Sequence, residues 1–492
     1  MNEPQKEKEK YGNNKKNFIT FIIVFFITLM IFYNFITMHY ATDTYNIINR
    51  GYEDYAIKYS LNDGRSIMCL ISLLASRMHI PIEVYIITLT VMAIFISCLN
   101  VFIIKNTVIK FMNINGKKEW MILIISYVII FNFTYLENMQ FAECMVMAIS
   151  VLMNTLVAKI IVEKNKNYIT KSIILSILSM LCYQGTMNWI VTLTCFLSIM
   201  KEKKLNKEVL KNIALSATCV VIGVICDLIQ IRISGKLLNM TQNRMGSIKN
   251  IPKNIYYIFS SLGYILTDTY NLFPKYIFIL YIIALISIDI SKGSLKLTNI
   301  LLIVIIAIAT TFAPYIFTTA GFGTARMAFS IGALIGLLIL YCYCNIPNNK
   351  KLKISICVIL FTYLILIIMN YIYIMNEHKK VNLQDKMESK IIGQMIEEYE
   401  NENNIKIQYI VILYDGNSKA YYENIKNTSV LCLRSLYPEW SRAGVINYYN
   451  NRTLKEPKET QGRYIHVPKD KEFDELTEKR IIFHEDTVYY CP

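Results

Sequence analysis

The sequence predicts an all-α polytopic membrane protein of about eleven transmembrane helices, followed by a small C-terminal α/β domain. Three observations predict this. Apolar runs of bilayer-crossing length recur over residues 18–375, lysines gather in alternate connections between them, and the runs stop at residue 376, where charges become dense.

Hydrophobic residues make up 54% of the 492 and charged residues only 18%, with a mean hydropathy of +0.37. That balance is too apolar for an ordinary soluble enzyme. The runs at 18–36, 82–104, 141–162, 300–317 and 354–375 are each long enough to cross ~30 Å of hydrocarbon as a helix. A net charge of +15 does not mark a nucleic-acid binder here, because the basic residues lie between apolar runs instead of forming one patch.

Residues 1–17 form a basic tail holding Lys6, Lys8, Lys10, Lys15 and Lys16. No small-residue cleavage signal follows the first run, so it reads as a retained helix with a cytoplasmic N-terminus. The bias repeats at Lys105, Lys110, Lys117 and Lys118, at Lys164, Lys166 and Lys171, at Lys201, Lys203, Lys204, Lys207 and Lys211, at Lys292 and Lys296, and at Lys350, Lys351 and Lys353. Connections 135–140 and 183–187 contain neither Lys nor Arg. This alternation makes 18–375 the transmembrane domain and 376–492 an extracytoplasmic domain, with a helix at 383–401 and strands at 407–414 and 430–436. Loops 38–81 and 232–274 are then long and outside, and the short apolar stretch 255–266 suits the interface.

Most of the 12 cysteines, among them Cys69, Cys98, Cys144, Cys182, Cys219, Cys226 and Cys342, sit in apolar stretches without metal-ligand spacing. Cys432 and Cys491 lie in the polar C-terminal region, where an oxidising compartment would allow them to pair.

Within the first outer loop, Tyr45, Ile48, Tyr52, Tyr55 and Tyr59 recur at helical steps. They predict a surface helix that buries tyrosines among headgroups and presents Asp43, Asn46, Arg50, Glu53 and Asp54 outward. After the turn Asn62-Asp63-Gly64, a second stripe of Ile67, Leu70, Leu74 and Met78 predicts a second interfacial helix.

His39 and Asp43 past the first span, Gly64-Arg65, Tyr135-Leu136-Glu137-Asn138, Tyr183-Gln184 and Arg326 together carry a resemblance. In these motifs the chain resembles the polytopic glucosyltransferases of bacteriophage-type O-antigen conversion, the glucosyl transferase II or Gtr-type family of the GT-C superfamily. An aromatic residue expected after Gly64-Arg65 is replaced by Ser66. The resemblance implies a GT-C-like bundle, a polyprenyl-phosphate hexose donor such as the glucose form, and a cell-surface glycan acceptor on the outer face of the cytoplasmic membrane. The lipid bilayer is a further partner, since a long-chain donor must lie within it.

Direct glycosyl transfer needs a base for the acceptor hydroxyl and positive charge for the leaving phosphate. The resemblance points to Asp43 as the base; an N-cap is its structural alternative. Asp54, with Glu53, is a second candidate beside simple solvation, and Asp63 suits a turn before Gly64. Glu137, in a short outer connection, is costly near hydrocarbon unless paired or functional. Arg65 and Arg326 have the fork geometry for phosphate, with snorkelling as the plainer role. The glycines beside Thr324 would permit close backbone approach. Gln184 is placed to bond a sugar hydroxyl, and His39 to assist the phosphate or rest among headgroups. The sequence indicates no definite cofactor; a divalent metal at the phosphate stays open.

No HExxH, GxSxG, P-loop or paired CxxC occurs in a suitable setting, so hydrolytic, nucleotide-binding and redox chemistry lack support. Alternatives are a transporter or flippase of lipid-linked glycans, for which Asp227, Glu143 and Glu83 are the few membrane-near carboxylates, and a glycan polymerase or ligase. A membrane-anchored receptor is a third.

Overall fold

The computed structural model describes residues 3–37, 40–114, 116, 118–239, 248–268, 271–290, 297–311, 316, 324–345, 349–412, 430–436, 438, 440–456 and 481–490. Among the described residues helices dominate, with three short strands near the C-terminus. Among the described residues, the helices Ile82–Met112, Cys144–Glu163, Lys207–Leu237 and Lys350–Asn403 are long and apolar enough to cross a membrane. The first helix and its continuation from Tyr33, bent by 72° between them, make a fifth if the pair is one span. Shorter apolar helices include Tyr168–Cys182, Leu297–Thr311 and Phe329–Asn345.

Local chemistry sets several of the helix ends. Asn206 accepts the Val209 N–H at 2.9 Å and opens Lys207–Leu237, and Asn349 accepts the Lys351 N–H at 3.1 Å at the head of Lys350–Asn403. Asn113 and Lys164, both left-handed, end Ile82–Met112 and Cys144–Glu163.

Cys144–Glu163 packs between Ile82–Met112 and Tyr168–Cys182, and small polar residues join them. Ser150 Oγ lies 2.8 Å from Ser179 Oγ and 2.7 Å from Thr186 Oγ1, while Asn154 Nδ2 donates to the Thr186 carbonyl at 2.9 Å. Such bonds satisfy groups that hydrocarbon would leave unpaired. The outward sides of Lys207–Leu237 and Lys350–Asn403 expose Val221, Ile225, Ile229, Val358, Ile365 and Met369, a surface suited to lipid.

The first loop folds as predicted into helices, Thr42–Arg50 and Ser66–Arg77, joined by a short turn of helix and the π-helix Ala56–Leu61. The tyrosine stripe does not face headgroups, however. Tyr45 and Tyr55 are buried in protein, because each hydroxyl finds a polar partner there: Tyr449 Oη at 2.9 Å and Glu143 Oε1 at 3.0 Å. The second stripe behaves differently, with Leu70, Leu74 and Met78 exposed. Residues 255–266 lie in the helix Ile251–Asp268, whose Tyr256 and Phe259 are exposed.

The change of composition at residue 376 falls inside one helix, Lys350–Asn403, 54 residues long. Beyond it, β1 (Tyr409–Ile412), β2 (Ile481–His484) and β3 (Thr487–Tyr490) form a sheet in the order β1-β3-β2, with β1 parallel and β2 antiparallel to β3. The strand expected at 430–436 is instead the 3₁₀ turn Val430–Cys432. Its Leu431 carbonyl is held by Gln140 Nε2 at 2.9 Å and meets His378 Nδ1 at 2.8 Å, so side chains satisfy it where a ladder would otherwise be needed. Cys432 is buried; Cys491 lies outside the described residues.

The C-terminal region is fastened to the first loop. The helix Arg442–Asn450 packs on both Lys350–Asn403 and Thr42–Arg50. A Cβ on Gly444 would stand 2.2 Å from the Tyr45 carbonyl oxygen, so only glycine permits this approach. Asn447 Nδ2 donates to Asn49 Oδ1 at 3.0 Å, Tyr448 donates to Glu83 at 2.5 Å, and Asn382 brackets the backbone of Tyr40 with bonds of 2.7 and 3.1 Å.

Candidate active site

Two buried arginine–carboxylate pairs form the centre of the site. Arg65 follows a turn that requires glycine: Gly64 has φ +85°, and a Cβ there would lie 2.3 Å from Asp227 Oδ1 and 2.6 Å from Gln184 Nε2. Gln184 locks that turn, donating to the Asp63 carbonyl at 2.9 Å and to the Asp227 carboxylate at 3.1 and 3.2 Å. The Arg65 guanidinium then donates through Nη1 to Glu143 and lies 5.2 Å from the Tyr183 ring centre. Its Nε is buried and has no hydrogen-bond partner among the described residues.

The second pair sits on short elements. Glu137 is buried in the helix Tyr135–Gln140 and accepts the Arg326 backbone N–H at 2.6 Å and its Nη1 at 3.2 Å. Arg326, on the 3₁₀ turn Ala325–Met327, lies 4.4 Å from the Phe141 ring centre. Burial, the largest influence, pushes the Glu137 carboxyl above its ordinary range, against the pull of Arg326. Burial likewise opposes charge on Arg65, but Glu143 and then Asp63 more than offset it and raise its pKa.

Tyr183 stands between the pairs, within electrostatic reach of Arg326, Arg65, Glu137 and Glu143. Asp43 completes the group, within reach of Arg326 and of Tyr55. It is half-buried in the first turn of Thr42–Arg50. The N-cap of that helix is Ala41, with no side-chain cap bond, so Asp43 does not cap it. Its position favours the helix dipole.

A family model described as glucosyl transferase GtrII matches residues 32–343. The chain belongs to the glucosyl transferase GtrII family. No curated protein matches it, and no solved structure does.

This GtrII chain is therefore a glycosyltransferase, and the matched span contains every arginine and carboxylate of the cluster. Five of the residues singled out in the sequence, Asp43, Arg65, Glu137, Gln184 and Arg326, meet at one end of the bundle. Asp54 is not brought to them; it pairs with Arg50 at 3.7 Å and with Lys58, both on its own stretch of helix. Glu53 is exposed. His39 and the glycines before Thr324 lie outside the described residues.

The sequence assigned Glu143, Tyr183 and Tyr55 no role in transfer, although Tyr183 stands in a resemblance motif and Tyr55 in the tyrosine stripe. Glu143 had been weighed only for a transport path, yet it stands at the N-cap of the apolar helix Cys144–Glu163 and neutralises Arg65. A lone acid at the mouth of a span was the available signal. Among the described residues, no group of three or more His, Cys, Asp or Glu gathers as a metal-ligand set.

Proposed function

We propose that this glucosyltransferase moves a hexose from a polyprenyl-phosphate donor to a cell-surface glycan at the outer face of the cytoplasmic membrane. The observation that carries the reading is the convergence of Arg65, with its unpartnered Nε, and Arg326 on one site beside Asp43. The Asp43 carboxylate takes the proton of the acceptor hydroxyl. That oxygen forms a bond to the anomeric carbon, the bond from this carbon to the donor's phosphate oxygen breaks, and the phosphate leaves with the electron pair. Arg65 and Arg326 bind the developing phosphate charge, each with donors its carboxylate partner leaves over. Glu137 and Gln184 act as positioning residues, Glu137 on Arg326 and Gln184 on the Arg65 turn. His39 is placed by sequence near the same phosphate, and we assign Asp54 no step.

The reading requires a cytoplasmic N-terminus and spans that leave both loop 38–81 and residues 376–492 outside. Lysine placement supports that orientation. The test is transfer from polyprenyl-phosphate glucose by purified Asp43→Asn enzyme. Loss of turnover by two or more orders of magnitude with an unchanged melting temperature is expected; full turnover would remove Asp43 from the site. Reporter fusions that put loop 38–81 in the cytosol would overturn the donor assignment.

A further inference from the structure

The opposite end of the bundle carries a second polar cleft. Lys16 stands near the start of the first apolar run and Lys105 near the close of Ile82–Met112, whose first turn holds Glu83, bonded to Tyr448 at the active-site end. The cleft opens to the surface and is lined by Lys16, Asn17, Thr20, Lys105, Glu119 and Trp120 over a floor of Leu123.

Lys105 is the unusual member. It is 4% exposed, so it does not simply snorkel to water. Its Nζ donates to Asn17 Oδ1 at 3.0 Å and lies 5.5 Å from the Phe102 ring centre. Lys16 and Glu119 both act on it electrostatically. Asn17, its oxygen engaged, keeps its amide N–H groups to donate. On the other wall, Glu119 uses Oε1 to accept the Gly116 N–H at 3.2 Å, and Trp120 is 48% exposed.

We propose that this cleft binds the headgroup of a membrane phospholipid bearing both a phosphate and a primary amine. The phosphate lies against Lys105, Lys16 and the Asn17 amide. The ammonium lies against Glu119 and the indole face of Trp120, a carboxylate and a π-surface that suit a cation. A lipid, as opposed to a free phosphate, fits because exposed Ile23 and Ile27 lie on the same face of the helix as Lys16 and Thr20 and offer a track for acyl chains. This site is independent of the donor site.

The experiment is native mass spectrometry of the full-length protein released from nanodiscs of equal phosphatidylethanolamine and phosphatidylglycerol. Wild type retains phosphatidylethanolamine in preference. Glu119→Gln abolishes the preference, whereas Lys105→Met lowers retention of both lipids about tenfold, the loss expected for one charge-assisted hydrogen bond. Because Lys105→Met places a thioether in a buried position, the exposed Lys16→Gln is run beside it, with melting temperatures for all variants. Equal retention of the two lipids by wild type overturns the proposal. So does displacement of the lipid by millimolar inorganic phosphate, which would assign the cleft to a free anion.

Discussion

Glu143 is the sharpest place to test the site's construction, because its side chain is 3% exposed and that of Arg65 is 12% exposed. Replacing it by glutamine keeps the shape and an acceptor for Tyr55 but leaves the Arg65 charge without its partner. Removing one member of a buried pair costs about 3–5 kcal/mol. The residual exposure of Arg65 lets water relieve part of this, so the low end, about 3 kcal/mol, is expected. Replacing both, as Arg65→Met with Glu143→Met, removes the pair's desolvation along with its attraction and should lie within about 1 kcal/mol of wild type. Arg65→Met and Glu143→Met made singly, with the double variant, then form a cycle with a coupling of a few kcal/mol. Thermal unfolding in one detergent reads stability, and transfer from polyprenyl-phosphate glucose reads activity. The double variant is expected to be folded and inactive. A Glu143→Gln protein as stable as wild type would refute the claim that Arg65 is held as a buried, carboxylate-dependent cation.

Gly444→Ala drives a Cβ to 2.2 Å from the Tyr45 carbonyl oxygen and should destabilise the docking of Arg442–Asn450 by about 1–3 kcal/mol, seen as faster proteolysis of the C-terminal region. Tyr183→Leu removes the ring beneath Arg65 and should lower transfer at least severalfold, whereas Tyr183→Phe keeps the ring and most of the activity; equal loss in both would point to the hydroxyl instead. Asp385, fully buried beside Arg434, has its carboxyl pushed up from 3.8 to about 6, chiefly by burial. A raised carboxyl favours the protonated folded state, so its contribution is present below about pH 4 and lost as pH rises to about 6, on the order of 3 kcal/mol. Asp385→Asn should flatten the pH dependence of unfolding across that window, and an unchanged slope would show that Asp385 does not titrate there.

Much of the site was legible because polarity is conspicuous in an apolar chain. Glu137, Gln184 and Arg326 each interrupt stretches that otherwise lack charge, and such residues near hydrocarbon need partners. What sequence could not supply was the pairing. Glu143 meets Arg65 across 78 positions and Glu137 meets Arg326 across 189, distances over which periodicity carries no information. The tyrosine stripe was real as a helical face, but whether lipid or protein covers it depends on Tyr448 and Tyr449, far along the chain. Composition placed a boundary at residue 376 because the apolar runs end there; backbone hydrogen bonding is indifferent to that change, and the helix runs on.

A helix of 54 residues is roughly 80 Å of continuous rod. Since no joint interrupts it where the greasy surface gives way to the polar one, the C-terminal region has no pivot of its own there. It is borne like a lamp on a post, and the clasp through Gly444 and Asn447 fixes its bearing over the loop that carries Asp43. The C-terminal region is thereby held at a set height and angle to Asp43, with its reach determined by the rod in place of a swinging tether.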